Sequence, residues 1–344
     1  MEIFNLFNRE LLNAFLAIIM TAIIISIVIF LLNANPLIVF WAIINGSIGN
    51  NYFLNQTLII SGVLMLTGLA AVIPFTARLW NLGGEGQMTL GAVVAASLGV
   101  LISPIFFPTL SIIVILILCA TCGGLLAAIC GYLKVKYNAS EVVTTLMTNF
   151  IMISLSTWLI FQAFPAKMVQ RTISIDKQFY IPSVSITWFN IIFVVSIIIC
   201  ILMWVLIQKS RFGFSVKIMG ANFEAAKLSG IEPFYLTLKT FALAGSLSGL
   251  AGGLIILGRD HALLMNFSSN YGFLGIGVAL TAKLNPLLVI PVAFIFAMLA
   301  VGSNSLQAVS GLSPMIGNVI VALLVLSLMF FRVIKFKYPE NING

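Results

Sequence analysis

Charged side chains are scarce in this sequence. Only 8% of the 344 residues are Asp, Glu, Lys or Arg, whereas 61% are hydrophobic, and the mean hydropathy is +1.17. A soluble globular domain carries about 25% charged residues. The composition therefore excludes a soluble domain and predicts an integral membrane protein.

Histidine and cysteine are also scarce, and this limits the chemistry that the chain can perform. There are one histidine and four cysteines, and all four cysteines lie in apolar runs, where a thiol behaves as a small hydrophobic group. Neither a histidine metal site nor a nucleophile-base-acid set can be assembled from these residues. The ATP-binding pattern G-x-x-x-x-G-K-[ST] is absent, so any ATP hydrolysis must occur on another chain. We expect no enzymatic site and no resident metal or cofactor.

Long apolar runs recur along the whole chain. About twenty apolar residues are needed for a helix to cross a hydrocarbon core of roughly 30 Å. The candidate spans are 11–32, 55–77, 87–103, 109–131, 141–163, 188–207, 238–257, 272–283, 286–302 and 314–331. The sequence predicts an all-α polytopic membrane protein, a single transmembrane domain over residues 1–344 with about ten transmembrane helices. Segment 272–283 is too short to cross alone.

The basic residues predict an orientation. With the amino terminus in the cytoplasm, alternating spans place thirteen of the seventeen Lys and Arg residues inside and four outside. Basic residues are enriched in cytoplasmic loops, so both termini are predicted to be cytoplasmic. Residues 208–237 then form the one large cytoplasmic loop, and 33–55 and 164–187 form external loops. Because the basic residues are not gathered in one patch with aromatics, we expect no nucleic-acid partner.

Two helices are predicted to be discontinuous. Residues Asn81–Gln87 read N-L-G-G-E-G-Q, and the glycine-rich stretch Phe267–Leu280 precedes Asn285-Pro286. Broken helices at membrane depth are tolerated where the backbone is buried in protein or lines a wet cavity, and they indicate a translocation route. Glu85 has a structural alternative, which is to complement the positive end of its own helix. We assign the following residues to the predicted path: Asn81, Gly83, Gly84, Glu85, Gly86, Gln87, Asn270, Gly272 and Gly275.

A polar stripe runs along the apolar segment 141–163. Its members recur at helical spacing of three and four residues, and they are Glu141, Thr144, Thr145, Thr148 and Asn149. Polar groups at membrane depth face the protein interior or a water path. Thr144, Thr145 and Asn149 therefore join the predicted path, with hydrogen bonding between helices as the alternative.

Small residues recur every four positions in two other spans. Gly123, Ala127 and Gly131 form one ridge, and Gly245, Gly249 and Gly253 form the other. In lipid such ridges let helix backbones approach closely. Internal packing and a dimer interface are both consistent with this pattern.

The loop 208–237 contains a predicted short helix. Asn222 can cap it, Glu224, Ala225 and Ala226 follow in its first turns, and Gly230 can end it. The two alanines permit close docking of a partner, and Glu224 can meet a basic group across that interface. A solvated loop helix without a partner is the alternative.

Three motifs give the chain a family resemblance over about residues 35–331. They are T-G-L-A…R-L-W-N-L-G-G-E-G-Q at Thr67–Gln87, E-V-V-T-T-L-M-T-N-F at Glu141–Phe150, and G-A-N-F-E-A-A-K-L-S-G-I at Gly220–Ile231. In order and spacing they resemble the permease subunits of bacterial ABC importers in the ribose and branched-chain amino acid group. Within that group the sequence resembles the nucleoside-type branch, and specifically the longer of its two paired permeases.

The resemblance implies a heteromeric importer in the bacterial cytoplasmic (inner) membrane. Its other parts would be a second homologous permease, an ABC ATPase subunit that binds the ATP, and an extracytoplasmic lipoprotein that delivers a small-molecule substrate. In such importers the coupling motif fits a cleft on the ATPase. The resemblance assigns this role to Gly220, Asn222, Glu224, Ala225, Ala226 and Gly230.

The substrate implied by the resemblance is a nucleoside, with simple sugars and riboflavin as alternatives. An ion-coupled secondary transporter would be expected to carry more ionisable groups at membrane depth than this chain has. A structural scaffold would gain nothing from broken helices and polar stripes. Arg259, Asp260 and His261 form a charged group at one predicted external end, to which the sequence assigns no role.

Overall fold

The chain folds into helices of very different length. The computed structural model describes residues 16, 19–101, 108–166, 169–181 and 190–333. In those ranges extended pairing is limited to two isolated bridges, Pro165 with Thr172 and Arg171 with Leu264. The helices are α1 (Ile19–Leu31), α2 (Pro36–Ile48), α3 (Asn51–Thr76), α4 (Gly84–Leu101), α5 (Pro108–Tyr137), α6 (Glu141–Trp158), α7 (Ile191–Lys209), α8 (Arg211–Ala221), α9 (Phe223–Leu228), α10 (Pro233–Ile255), α11 (Tyr271–Thr281), α12 (Pro286–Gly302), α13 (Leu306–Ser310) and α14 (Ile316–Val333). The all-α prediction is confirmed for the described residues.

Six helical segments of the described chain are long and apolar enough to cross a membrane. They are Asn51–Thr76, Pro108–Tyr137, Glu141–Ala163, Ile191–Lys209, Pro233–Asp260 and Pro286–Ser310, and the bent pair of α1 and α2 would make a seventh. The chain is therefore a multi-pass membrane protein.

The predicted count of ten spans is not confirmed. Segment 272–283 corresponds to the short apolar helix α11. Segments 87–103 and 314–331 correspond to α4 and α14, which have 18 residues each and are not among the six. Several predicted features lie outside the described residues. They are the starts of the spans at 11 and 188, the end of the span at 103, both chain termini and parts of the 164–187 loop. The orientation of the termini stays a prediction.

The stretch 33–55 contains a helix that was not predicted. Asn35 accepts a hydrogen bond from the Leu37 amide, and Pro36 occupies the first turn of α2, where its missing N–H costs nothing. The axes of α1 and α2 differ in direction by 112°. Whether this stretch is external stays a prediction.

The chain divides into two compact units, which are the described parts of 1–53 with 298–344 and the residues 54–297. In the first unit, Ile29, Val39 and Leu306 are fully buried in one apolar cluster. The Ser305 hydroxyl donates to the Ala42 carbonyl over 2.7 Å, which ties the turn after α12 to α2. All the candidate site residues lie in the second unit.

Helix α3 is central in the second unit. Every residue of its most apolar 18-residue window is buried, as expected for a helix that is hydrophobic all round. A Cβ at Gly62 would lie 3.1 Å from the Ile192 side chain of α7, and one at Gly68 would lie 3.0 Å from Val278 of α11. Small residues of α3 thus let the surrounding helices approach its backbone.

The two ridges of small residues pack against each other within one subunit. A Cβ at Gly123 of α5 would lie 2.9 Å from the Gly249 Cα of α10, and one at Gly245 would lie 2.5 Å from the Ala127 Cβ. We call these four residues the glycine seam. At its ends, Gly131 faces Phe241 and Gly253 faces Cys119. The internal-packing interpretation is confirmed for both ridges.

Candidate functional site

The segment before α4 is closed onto the first turn of that helix by two amide side chains. Asn81 Nδ2 donates to Gln87 Oε1 over 3.2 Å, and Gln87 Nε2 donates back to Asn81 Oδ1 over 2.9 Å. Asn81 Oδ1 also accepts from the Gly83 amide over 3.1 Å. Both side chains are buried. Helix α4 begins at Gly84, three residues before the predicted span, so Glu85, Gly86 and Gln87 lie in regular helix.

The polar stripe of α6 contacts this same segment. Asn149 Oδ1 accepts from the Gly86 amide over 2.8 Å, and its Nδ2 donates to the Leu82 carbonyl over 2.9 Å. The Thr145 hydroxyl accepts from the Leu82 amide over 3.2 Å. The side chains of Asn149 and Thr145 thus satisfy backbone groups that the helix break leaves without helical partners. Hydrogen bonding between helices was the alternative to a translocation path for this stripe, and Thr145 and Asn149 make such bonds.

Thr144 belongs to the stripe in sequence but not in these contacts. Its hydroxyl donates to the Ser140 and Glu141 carbonyls of its own chain segment, over 3.1 and 3.2 Å. The structure therefore separates Thr144 from the residues that hold the break.

Glu85 connects the first break to the second. Its carboxylate accepts from the Ser268 hydroxyl and, over 2.8 Å, from the amide of Gly272, the second residue of α11. Asn270 precedes α11 with a left-handed φ of 63° and makes no capping bond with its side chain. Glu85 therefore takes the place of a local cap and complements the positive end of α11. Glu85 also lies in the first turn of α4, as predicted, although its hydrogen bonds go to Ser268 and to α11.

Glycines let the two breaks approach this closely. A Cβ at Gly84 would lie 3.3 Å from the Gly272 carbonyl oxygen, and one at Gly275 would lie 2.6 Å from Thr67 of α3. The Thr67 hydroxyl donates to the Tyr271 carbonyl over 3.2 Å. These contacts fix the start of α11 between α3 and α4.

We call the joined side chains the polar node. Its members share burial and hydrogen bonding to a neighbouring segment, and they are Asn81, Glu85, Gln87, Thr145, Asn149 and Ser268. Of the predicted path residues, Gly83, Gly84, Gly86 and Gly272 line the node with backbone. Gly275 packs on Thr67 instead, and Thr144 and the exposed Asn270 lie outside the node. Sequence reasoning missed Ser268 and Thr67, although Ser268 lies in the F-S-S-N stretch that marked the second break.

The Arg259–Asp260–His261 group anchors the other side of the second break. Arg259 pairs with Asp260 over 2.6 Å and 3.1 Å, and its Nη2 lies 3.5 Å from the Phe267 carbonyl oxygen. The His261 ring stacks on Tyr180 with a centroid distance of 3.6 Å. Burial lowers the pKa of the His261 imidazole. These residues fix the chain between α10 and α11.

Residues 169–181 lie along the second break. The Thr172 amide donates to the Leu263 carbonyl over 2.9 Å, and the Ile175 amide donates to the His261 carbonyl over 2.9 Å. The Ile181 amide likewise donates to the Leu257 carbonyl. This part of the predicted external loop is therefore held against the segment that links α10 to α11.

The predicted coupling helix is present as α9. Asn222 Oδ1 accepts from the Ala225 amide over 3.1 Å, and Gly230 has a left-handed φ of 76°. The predicted cap and end of this helix are confirmed. Glu224 and Ala225 are exposed, but Ala226 is fully buried in a cluster with Ala77 and neighbours. Ala226 therefore packs against its own chain, which corrects its prediction as a partner contact.

Gly220 joins the coupling region to the end of α3. A Cβ there would lie 3.2 Å from the Ala77 Cα and would meet the Thr76 carbonyl oxygen. Ala77 lies four residues before Asn81 of the polar node. A packing contact at Gly220, followed by the chain from Ala77 to Asn81, thus connects the α8–α9 region with the node.

A cavity of about 560 Å³ opens beside α9. It is lined by Ala77, Arg78, Leu79, Lys134, Val135, Asn138, Glu141, Met219, Gly220, Ala221, Asn222, Phe223, Pro233 and Thr237. Lys134 and Glu141 form an ion pair over 2.6 Å within this wall.

Known proteins resemble the chain over most of its length. The family model described as branched-chain amino acid transport system / permease component matches residues 53–333. A glucose ABC transporter permease, TsgB13 of Haloferax volcanii, is 27% identical over 88% of this chain and 83% of its own length. The guanosine ABC transporter permease NupP of Bacillus subtilis is 26% identical over 86% of each chain. The nucleoside ABC transporter permease NupB of Lactococcus lactis is 26% identical over 96% of this chain and 92% of its own.

Proposed function

We propose that this chain, which belongs to the family of permease components of branched-chain amino acid transport systems, is one permease subunit of an ATP-driven nucleoside importer. One observation carries the proposal. The family match over residues 53–333 includes both helix breaks, the polar stripe of α6, and helix α9. Relatives named as guanosine and nucleoside permeases align over most of the same chain.

The remaining parts of the importer are assigned to other chains. A separate ABC ATPase would bind and hydrolyse the ATP, since this sequence has no phosphate-binding loop. A second homologous permease would complete the path, and an extracytoplasmic lipoprotein would deliver the substrate. We place the complex in the bacterial cytoplasmic membrane with α8 and α9 inside, as the distribution of basic residues favours.

The polar node is proposed as the closed gate of the translocation path. Its side chains bond one another and the start of α11, whose cap comes from Glu85 on a different helix. Because a net hydrogen bond in a protein contributes only about 1 kcal/mol, such a gate can open by exchanging these bonds for bonds to water or substrate. Gly83, Gly84, Gly86, Gly272 and Gly275 would then line the opened path with backbone.

Coupling to ATP hydrolysis is assigned to α9 and its flanks. The exposed Glu224 and Ala225 would contact the ATPase, while Asn222 and Gly230 shape the helix. Gly220 rests on the end of α3, so a displacement of α9 would reach residues 77–81 and then the node.

Sugar import is the second candidate, because the glucose permease of Haloferax volcanii is similar to the same extent. Riboflavin is a further alternative, because a probable riboflavin import permease of Treponema pallidum is also similar to this chain. An ion-coupled secondary transporter is disfavoured, because the named relatives are ABC transporter permeases.

The test is reconstitution of this chain with its ATPase, second permease and lipoprotein into liposomes. We expect ATP-dependent uptake of labelled guanosine or another nucleoside, with no uptake when the ATPase carries a substituted phosphate-binding lysine. Uptake of glucose or riboflavin without nucleoside uptake would select the corresponding alternative. Uptake without ATP would contradict the proposal.

A further inference from the structure

The cavity beside α9 is enclosed by segments that are far apart in sequence. The turn after α3, the end of α5, the start of α6, the α8–α9 joint and the start of α10 each contribute to its wall. Two of these segments, at residues 77–81 and Glu141–Thr145, lead directly to the polar node. An occupant of this cavity would therefore contact both routes into the node.

The charges of the wall leave one cation without a counter-ion. Lys134 is paired with Glu141 over 2.6 Å. Arg78 also lines the cavity, and in the described part of the chain no carboxylate forms a salt bridge with it. A guanidinium group matches a carboxylate in a two-bond geometry that a lysine cannot reproduce. The wall is therefore complementary to an acidic group that the described residues do not supply.

The backbone of Arg78 supports a role for its side chain. Arg78 follows the last turn of α3 with a left-handed φ of 56°, and the Leu79 amide closes that turn by donating to the Pro74 carbonyl over 2.9 Å. Glycine is the usual residue at such a helix end, because other residues are strained there. Strain of this kind persists where a side chain is needed for function.

The rim of the cavity indicates a protein occupant. Phe223 lines the cavity and is 53% exposed, and Leu228 on the same helix is 89% exposed. Helix α9 has only six residues and is not a membrane span, so these apolar side chains are not exposed in order to cross the hydrocarbon core. Large exposed apolar side chains at a polar-rimmed surface mark a protein interface.

We propose that this cavity receives an acidic side chain of the ATPase subunit, with Arg78 as its counter-ion and Phe223 as an apolar part of its wall. The proposal rests on the proposed function, which supplies the partner. It adds that the contact is reciprocal, because the ATPase inserts a carboxylate into the permease beside the helix that the permease presents to the ATPase.

A zero-length cross-link tests this contact. In the complete complex bearing Arg78→Lys, a carbodiimide should join the new amine to an Asp or Glu of the ATPase, and peptide mass spectrometry should identify the pair. The wild-type complex is the matched control, because arginine does not react. A cross-link from position 78 only to Glu141, or none, would overturn the proposal.

A second variant tests the charge of the Arg78 side chain without straining the left-handed backbone at that position. Arg78→Gly removes the cation and suits the left-handed φ, so membrane insertion and thermal stability should match wild type. We expect its affinity for the ATPase in detergent to fall about tenfold, in keeping with the loss of one charged hydrogen bond. Arg78→Lys keeps the charge but not the two-bond geometry, so its affinity should lie between those of wild type and Arg78→Gly. Equal affinity of wild type and Arg78→Gly would overturn this inference and leave the proposed function standing. Failure of the wild-type chain to retain any ATPase would overturn both.

Discussion

The glycine seam and the polar node both join helices inside the unit 54–297, but by different means. In the seam, Gly123 and Gly249 bring two backbones into contact without any polar side chain. In the node, Glu85 reaches Ser268 across 183 residues of sequence through a hydrogen bond. Close backbone packing has no second arrangement of similar energy, whereas hydrogen bonds can be exchanged. The comparison indicates that the seam is a rigid frame and the node is the part that rearranges.

The largest effect is expected in the seam. Gly249→Val would force a branched side chain against the Cys119 carbonyl and the Gly123 Cα. Overpacking of this kind costs about 3 kcal/mol, so little folded protein should be recovered. The measurement is the monodisperse fraction after detergent extraction, followed by thermal unfolding. Leu125→Val, at an exposed position of α5, is the control and should behave as wild type. A well-folded Gly249→Val protein would show that the glycine seam is not a rigid frame.

The next effect is expected at the centre of the node. Glu85→Ala leaves the Gly272 amide buried without its acceptor, which costs about 1–3 kcal/mol. ATP-driven uptake should fall more than tenfold, because the start of α11 loses its cap. Glu85→Gln keeps one acceptor oxygen and should lie between wild type and Glu85→Ala in both stability and uptake. Wild-type uptake by Glu85→Ala would show that the connection between the two breaks is dispensable.

A smaller effect is expected on the α6 side of the node. Asn149→Ala leaves the Gly86 amide and the Leu82 carbonyl without partners, for a loss of about 1–2 kcal/mol. Thr144→Val is the matched control, since the Thr144 hydroxyl donates to carbonyls of its own segment and lies outside the node. The thermal midpoints of the two variants give the comparison. Equal losses would mean that the whole stripe, and not the node, stabilises this helix.

The smallest effect on stability is expected at the exposed coupling helix. Glu224→Lys places a cation in the first turn of α9 and should cost at most about 0.5 kcal/mol of folding free energy. Membrane insertion should be intact, but uptake should be lost because the contact with the ATPase is reversed in charge. The measurement is uptake normalised to the amount of inserted protein. Normal uptake would remove Glu224 from the coupling role.

Local features of this structure were predictable from sequence, and long-range ones were not. The cap at Asn222 and the end at Gly230 depend on neighbours within a few residues, and both are confirmed. The partner of Glu85 depends on the fold, so the sequence could offer only a cap for its own helix. The two glycine ridges were visible, but their spacing alone could not show that they meet each other in one subunit.

Helix length limited the prediction of spans. Asn35-Pro36 is a local start signal for α2, yet the uncharged stretch around it was interpreted as a loop because one long span preceded it. Conversely, α11 is apolar but has only 11 residues, so hydropathy alone placed 272–283 among the candidate spans although it is too short to cross alone. Ala226 was assigned to a partner because it is small, whereas its position on α9 turns it toward Ala77.

The most direct test compares movement at the node with movement at the seam in the complete complex. Spin labels at the exposed positions Phe150 and Ser269 flank the node, and labels at Leu125 and Lys239 lie on α5 and α10. With the four native cysteines replaced by alanine, pulsed electron resonance gives both distances with and without trapped ATP. The account predicts a shift of several ångströms between 150 and 269 and none between 125 and 239. An unchanged 150–269 distance, in a complex that transports, would contradict it.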